Sequence, residues 1–397
     1  MFWLCTALAA PLADHARGLY DQPFEVQVTG DGGSLFYSTD LSVPTRPVSG
    51  PIPIRTTTVL RLAEVAQDGS RVETTHSYIF VSDVMASSVM DQAVVQNPAY
   101  TASIERALRD LPTISLVNPD GIPLSEVPIS LEWIDPNGDQ LQVGAGAYVS
   151  GGTSWAYEKT SFRLVFRDEY GPGHLEADIY GPDATGIPAV ERFDVLSLRG
   201  GNHDTVFYQG ARGQHLRNLW MDETQLDQGQ LAPHGRFANV YRNGVYHGLY
   251  HVRERFNAAM MSEYLGGSEE DYEAINAGSA YDGSGATWAA LVAASNSFEE
   301  ARRYLDVDDY LDYMVLNYYA GNAWDWYSWH NWQAAGPARP DAGGFRFHSS
   351  DSDICLSYTW DVNILSLGGP SDIFLGLNRQ EDPDFQVALA DAIYRNL

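Results

Sequence analysis

The sequence predicts an all-β sandwich at the N-terminus, followed by a larger domain that mixes helices and strands. Within residues 16–85, short runs of alternating apolar and polar residues are separated by Gly, Asp and Pro turns. From residue 129 to the end, strand-like runs are interspersed with amphipathic helical segments, the pattern of an α+β domain. Residues 86–128 are expected to connect the two domains.

The length of the chain bounds the number of domains, and its net charge bounds the kinds of molecule that it binds. A chain of 397 residues is long enough for two or three domains. The net charge of −28 argues against nucleic acid or an anionic membrane as the main partner, because phosphate backbones bind basic surfaces. No apolar run approaches the ~20 residues of a membrane-spanning helix, so no transmembrane span is expected. The oligomeric state is left open.

The N-terminal strands are predicted at residues 24–28, 34–38, 59–63 and 75–80. Residues 17–26, 35–40, 51–54 and 56–61 resemble the Ig-like module known as the chitobiase/β-hexosaminidase C-terminal domain. That resemblance implies an Ig-like sandwich over residues 16–85, with an accessory role and a secreted or cell-envelope location in a bacterium.

The first residues and the cysteines bear on export. Residues 1–15 are expected to be a leader remnant, because residues 2–12 resemble the apolar part of a signal peptide. The alternative is an arbitrary start inside a longer gene. The two cysteines, Cys5 and Cys355, make no disulfide framework and are expected to be free thiols.

The remaining elements follow from periodicity and from turn residues. Helices are predicted at residues 100–111, 210–225, 256–265, 286–305 and 307–319. Strands are predicted at residues 113–117, 129–133, 140–143, 157–166, 193–199, 237–241, 245–252 and 344–348, with a Gly-rich turn over residues 144–154.

Lys159 is the only lysine in the chain, since the 24 basic residues comprise 23 arginines and this one lysine. It lies at the head of a predicted strand and shortly after Gly151 and Gly152. A Gly-rich turn followed by a strand lysine is one way to approach and neutralise a phosphate chain. The alternative is compositional drift from lysine to arginine that spared one position by chance.

Acidic and amide side chains follow in an order that suits phosphoryl transfer. A predicted helix carries Asp222 and Glu223, a later loop carries Asp325 and Asn331, and Asp351 follows a short strand. Phosphoryl transfer needs positioning and neutralisation of charge, and Mg²⁺ prefers the carboxylate and amide oxygens that these residues supply. The H-R-D and D-F-G sequences of ordinary protein kinases are absent.

Residues from about 130 to 397 resemble the CotH kinase family of atypical kinases. The most specific match is the run Y-R-N-G-V-Y-H-G-L-Y over residues 241–250, followed by Glu254. Further matches are the Lys159 strand, Leu198-Arg199 with Asp204, the loop from Asn322 to Asn331, and Asp351-Ser352-Asp353.

The resemblance implies an atypical protein-kinase-like fold, here expected to be truncated at its C-terminus. It also implies an ATP- and Mg²⁺-dependent enzyme that phosphorylates Ser or Thr hydroxyls of a protein substrate. Asp325 and Lys159 are the implied catalytic residues. The implied nucleotide-binding residues are Lys159, Gly151, Gly152, Arg199, Glu254 and Glu223, and the implied metal ligands are Asp351, Asn331 and Asp353.

Three departures from the family pattern leave an alternative open. The family usually has histidine before the glycines, where this chain has Val149-Ser150, arginine at the position of Trp155, and tryptophan at that of Ser350. These changes favour a catalytically weak pseudokinase that acts as a surface binding or structural protein. The histidines at positions 203, 247, 251 and 330 match no common zinc-ligand spacing and are expected to be structural or surface residues.

Overall fold

A computed structural model describes residues 9–152, 154–181, 185–322, 326, 330–357, 364 and 370–397. The chain forms two compact units. The first comprises Met1–Gly173, Leu198–Gly200 and Phe237–Tyr250, and the second comprises His174–Ser197, Gly201–Arg236 and His251–Leu397.

The first unit begins with short strands, which confirms that the N-terminal region is mostly β. They are β1 (Leu12–Ala13), β2 (Gly18–Tyr20), β3 (Phe24–Val26), β4 (Val28–Thr29), β5 (Ser34–Ser38), β6 (Arg46–Pro47), β7 (Ile52–Ile54), β8 (Thr58–Val65) and β9 (Arg71–Phe80). They form a five-stranded sheet in the order β2-β9-β8-β5-β6 and two pairs, β3-β7 and β1-β4. Alternate apolar residues form its core, which is why their period-two pattern was visible in the sequence. The Ig-like identity stays a prediction.

Three helices and a closed barrel follow in the first unit. The helices are α1 (Val81–Ala86), α2 (Gln92–Val95) and α3 (Thr101–Asp110). The barrel has the order β10-β11-β12-β13-β16-β18-β17. Its strands are β10 (Thr113–Val117), β11 (Val127–Ile134), β12 (Gln140–Ser150), β13 (Ser161–Val165), β16 (Val195–Arg199), β17 (Gly235–Arg242) and β18 (Val245–Glu254), the last three lying only partly in this unit.

The predicted Gly-rich turn is shorter than expected, because β12 continues through Ser150. This strand contains glycines where the segment around Tyr170 packs closely against it. A Cβ at Gly144 would lie 2.0 Å from the carbonyl oxygen of Tyr170, and one at Gly146 would lie 2.5 Å from the Tyr170 ring. These glycines therefore permit close packing, and the turn itself begins at Gly151.

A buried carboxylate joins the N-terminal sheet to the barrel within the first unit. Glu132 of β11 has no exposed surface. Its Oε1 accepts a hydrogen bond of 2.6 Å from the Thr75 hydroxyl, and its Oε2 accepts one of 3.0 Å from the Ser77 amide. The Nε atom of Arg17 lies 3.7 Å from Oε1. Sheet and barrel therefore share a polar junction that is removed from solvent.

The second unit is α+β. Its sheet has the order β20-β19-β21-β22, and a further pair consists of β14 and β15. The strands are β14 (Leu175–Glu176), β15 (Arg192–Phe193), β19 (Tyr272–Asn276), β20 (Ser279–Asp282), β21 (Gln333–Pro337) and β22 (Arg346–His348). The helices are α4 (Val206–Gln209), α5 (Arg217–Asp227), α6 (Ala258–Leu265), α7 (Ala286–Ala294), α8 (Phe298–Ala301), α9 (Val307–Tyr319), α10 (Ile373–Asn378) and α11 (Pro383–Asn396).

Helix α9 is central to the aromatic core of the second unit. It begins after Asp306, whose side chain accepts a hydrogen bond from the Asp309 amide as an N-cap. Tyr313 on its buried face accepts a hydrogen bond of 2.6 Å from the indole of the fully buried Trp326. Among the residues that the structure describes, no helix is long and apolar enough to cross a membrane.

Candidate functional site

The segment 351–353, which follows β22 in the second unit, is fixed by side chains from two helical regions. The amide of Ser352 donates a hydrogen bond of 2.8 Å to the Asn218 side chain on α5. The Asn322 side chain, which follows α9, donates to the Ser352 hydroxyl at 3.3 Å. The aspartates on either side of Ser352 therefore project from a positioned backbone.

The end of the predicted catalytic loop meets this segment. Asn331 has a left-handed backbone with φ of 65°, and its carbonyl oxygen accepts a hydrogen bond of 3.3 Å from the Ser350 amide. Asn331 is thus brought to the strand end, as the sequence suggested. Asp325, the predicted catalytic base, lies outside the described residues.

A histidine joins the predicted metal aspartates. His203, Asp351 and Asp353 each offer one ligand atom, and these atoms lie within 4.8 Å of one another. Asp353 is buried, whereas the other two are half-buried. The sequence predicts both aspartates as ligands but His203 as a structural or surface residue, because His203 lies 148 positions before Asp351 and no ligand spacing along the chain links them.

One buried amide fixes the backbones of two of these residues. The Nε2 of Gln209 donates hydrogen bonds to the carbonyl oxygens of His203 and of Asp353, the latter at 2.9 Å. Its Oε1 accepts a hydrogen bond of 3.0 Å from the Ser357 hydroxyl. Gln209 therefore holds the His203 turn and the 351–353 segment together.

The turn that carries His203 is also fixed from its other side. Asp204 is buried and forms an ion pair with the Arg217 guanidinium. Its carboxylate also accepts hydrogen bonds of 3.0 Å from the amides of Gln214 and Arg217. These bonds interrupt the helix predicted over residues 210–225, so that α5 begins at Arg217.

The acid on the inner face of α5 is Asp222, whereas the predicted Glu223 is exposed. Asp222 forms a buried ion pair of 2.7 Å with Arg253. Arg253 also donates a hydrogen bond of 3.2 Å to the Ser350 carbonyl oxygen. This pair supports the end of β22 from the side of α5, and no motif in the sequence indicates Arg253.

Glu254 is also buried in the second unit. Its carboxylate accepts a hydrogen bond of 2.7 Å from the His234 amide and bonds of 3.0 and 3.1 Å from the Tyr264 hydroxyl. The Nδ1 of His234 lies 3.0 Å from Oε2. The choice of Glu254 or Glu223 as the acidic partner of Lys159 stays a prediction.

In the first unit, the half-buried Lys159 packs on the hairpin that carries the most specific family match. Its Nζ lies 5.0 Å from the centre of the Tyr250 ring, within cation–π range. The Tyr250 hydroxyl donates a hydrogen bond of 2.7 Å to the Thr160 carbonyl oxygen. A Cβ at Gly248 would lie 3.1 Å from Lys159 Cε, so the glycine leaves room for the lysine side chain.

The predicted glycine turn precedes Lys159 and is open. Gly151 has φ of +108°, which favours glycine. A Cβ at Gly152 would have no described atom within 4 Å. Trp155 donates an indole hydrogen bond of 3.0 Å to the Gly152 carbonyl oxygen but is 56% exposed. Arg199 lies half-buried at the end of β16.

The electrostatics of Lys159 predict a pH dependence of nucleotide binding. Burial lowers the pKa of its ammonium group from 10.5 to about 8. The charged form predominates below this pKa and is lost as the pH rises through it. ADP affinity, measured by calorimetry without metal, is therefore expected to fall about 20-fold between about pH 7.5 and about pH 9.5. A Lys159→Arg variant that still binds ADP should not show this fall, because guanidinium stays charged. An equal fall in both proteins would contradict the role of Lys159.

Comparison with known families identifies the domain that contains these residues. No curated protein matches the chain. The family model described as CotH kinase protein matches residues 148–396, which is more than half of the chain and includes Lys159, His203, Asp351 and Asp353. The chain therefore belongs to the CotH kinase protein family.

Proposed function

We propose that this protein is a metal- and ATP-dependent protein kinase that transfers phosphate to Ser or Thr hydroxyls of a secreted or cell-envelope protein. The main support is the convergence of Asp351 and Asp353 with His203, in a chain that belongs to a kinase family. The secreted or envelope location rests on the resemblance of the N-terminal strands to a module of extracellular enzymes.

Each proposed role follows from the chemistry of the residue. Lys159 binds phosphate oxygens, and the cation–π contact with Tyr250 limits the directions in which its ammonium can point. Asp325 accepts the proton of the acceptor hydroxyl, and Asn331 supplies an amide oxygen beside the 351–353 segment.

The donor set suits a divalent cation. Two carboxylates close together repel each other, and a cation removes this repulsion. When bound there, a divalent ion such as Mg²⁺ neutralises charge on the nucleotide phosphates. Such local neutralisation is needed because the chain as a whole carries −28 charges and repels a polyanion.

The second candidate is a non-catalytic surface protein that retains the kinase-like domain. The observation that favours it is the exposed Trp155 where the family usually has arginine, since this change removes one positive charge from the turn before Lys159.

Binding and transfer assays on the full chain distinguish the two candidates. Mg-ATP should raise the thermal unfolding temperature of the wild type, and radiolabelled phosphate should be incorporated into a generic protein acceptor. Lys159→Ala should reduce incorporation by ~100-fold or more, because phosphate neutralisation is lost. Arg106→Ala on the exposed face of α3 is the control for removal of one cation and should behave as wild type. A wild type that neither binds ATP nor incorporates phosphate would refute the kinase proposal.

A further inference from the structure

We infer that His203 is a further ligand of the cation site formed with Asp351 and Asp353, and that this site prefers Mn²⁺ to Mg²⁺. The inference rests on the proposed function, since the ion would be the one that accompanies the nucleotide. It goes further because it adds a ligand and specifies the metal.

The geometry allows one ion to contact all three side chains. Their ligand atoms lie within 4.8 Å of one another. Imidazole and carboxylate ligands lie about 2.0–2.3 Å from a first-row ion, so three ligands spread evenly around one ion are about 4.0 Å apart or less. Movements of the ligand atoms by about 1 Å or less, which small side-chain rotations supply, are therefore sufficient to form the site.

The surrounding bonds indicate a built site. Gln209 donates to the backbone carbonyls of both His203 and Asp353, so one side chain fixes two of the three ligand residues. Asp204, which directly follows His203, is anchored by its ion pair with Arg217. Such outer contacts orient ligands in metal sites and limit the loss of conformational entropy on binding.

The imidazole determines which ion is preferred. Mg²⁺ is bound almost entirely by oxygen and dehydrates reluctantly, so a nitrogen ligand adds little to its affinity. Mn²⁺ accepts carboxylate oxygen and also imidazole nitrogen, in keeping with its place in the transition-metal series. One nitrogen and two carboxylates therefore favour Mn²⁺ over Mg²⁺.

Direct titration of the full chain with Mn²⁺ tests this inference without any activity assay. Free Mn²⁺ is followed by its electron paramagnetic resonance signal, and Mg²⁺ affinity is obtained by competition. The wild type is expected to bind Mn²⁺ at least about tenfold more tightly than Mg²⁺. His203→Ala should weaken Mn²⁺ binding about tenfold and change Mg²⁺ binding less than about twofold.

Two further variants keep the result interpretable. His203→Asp makes the ligand set all-oxygen, so it should retain Mg²⁺ binding and lose most of the preference for Mn²⁺. His15→Ala, in the bend between β1 and β2, controls for loss of a half-exposed histidine and should bind both ions as the wild type does. Thermal unfolding establishes that each variant is folded before it is titrated.

The outcomes separate this inference from the proposed function. Equal Mn²⁺ affinity in the wild type and in folded His203→Ala would overturn the inference, even if phosphate transfer with Mg²⁺ is observed. Binding of Mn²⁺ that depends on His203, in a protein that transfers no phosphate, would support the metal site and refute the kinase.

Discussion

An Asp351→Asn variant is expected to lose at least ~100-fold in phosphate transfer while remaining folded. Asparagine keeps the shape of the side chain and one oxygen but removes the negative charge that attracts the cation. The backbone of the segment is held independently, because the Ser352 amide is bonded to Asn218. The loss should therefore appear in the transfer rate and in metal affinity, and little in the thermal unfolding temperature.

The matched control is Asp341→Asn, which removes the charge of an exposed aspartate paired with Arg303. Exposed ion pairs contribute little to stability, so this variant should transfer phosphate at the wild-type rate. Incorporation by Asp351→Asn within about threefold of the wild type would refute the assignment of Asp351 as a metal ligand.

A Glu132→Ala variant is expected to lose about 3 kcal/mol or more in the free energy of unfolding. The change removes the hydrogen-bond acceptor of the buried Thr75 hydroxyl and of the buried Ser77 amide. It also leaves a cavity next to Arg17 in place of the carboxylate that balances its charge. Each unsatisfied buried group carries a desolvation cost. Urea unfolding, followed by tryptophan fluorescence, measures the loss.

Glu132→Gln provides the comparison. Burial raises the pKa of Glu132, which means that the surroundings disfavour its negative charge. The neutral amide avoids this cost, keeps the volume and can still accept one hydrogen bond, so its destabilisation should be much smaller than that of alanine. A Glu132→Ala protein as stable as the wild type would show that the junction between sheet and barrel does not depend on this carboxylate.

Several elements could be predicted because local sequence and tertiary packing agree. The strands Ser34–Ser38 and Thr113–Val117 have the predicted bounds, since apolar runs at period two are ended by turn residues. Helix Val307–Tyr319 also has its predicted bounds, since an Asp N-cap precedes it and residues 309–317 are all buried in the core.

Other elements could not be predicted, because distant residues determine them. The stretch from Gly144 to Ser150 contains glycines, which suggested a turn, yet it is strand because Tyr170 packs against it. The predicted helix over residues 210–225 is shortened because Asp204 binds the amides of Gln214 and Arg217. These contacts join residues that are ten or more positions apart in the chain, so the hydrophobic periodicity of the local sequence does not reveal them.

The sequence by itself determined the family, and it predicts functional roles for Lys159 and for both aspartates of the 351–353 segment. Their residue types and their order along the chain carry that chemistry. Only the tertiary structure decided that His203 joins these aspartates and that Gln209 holds the two segments together. The physical reason is that a ligand set is defined by distances in space, and residues separated by well over a hundred positions leave no pattern in sequence spacing.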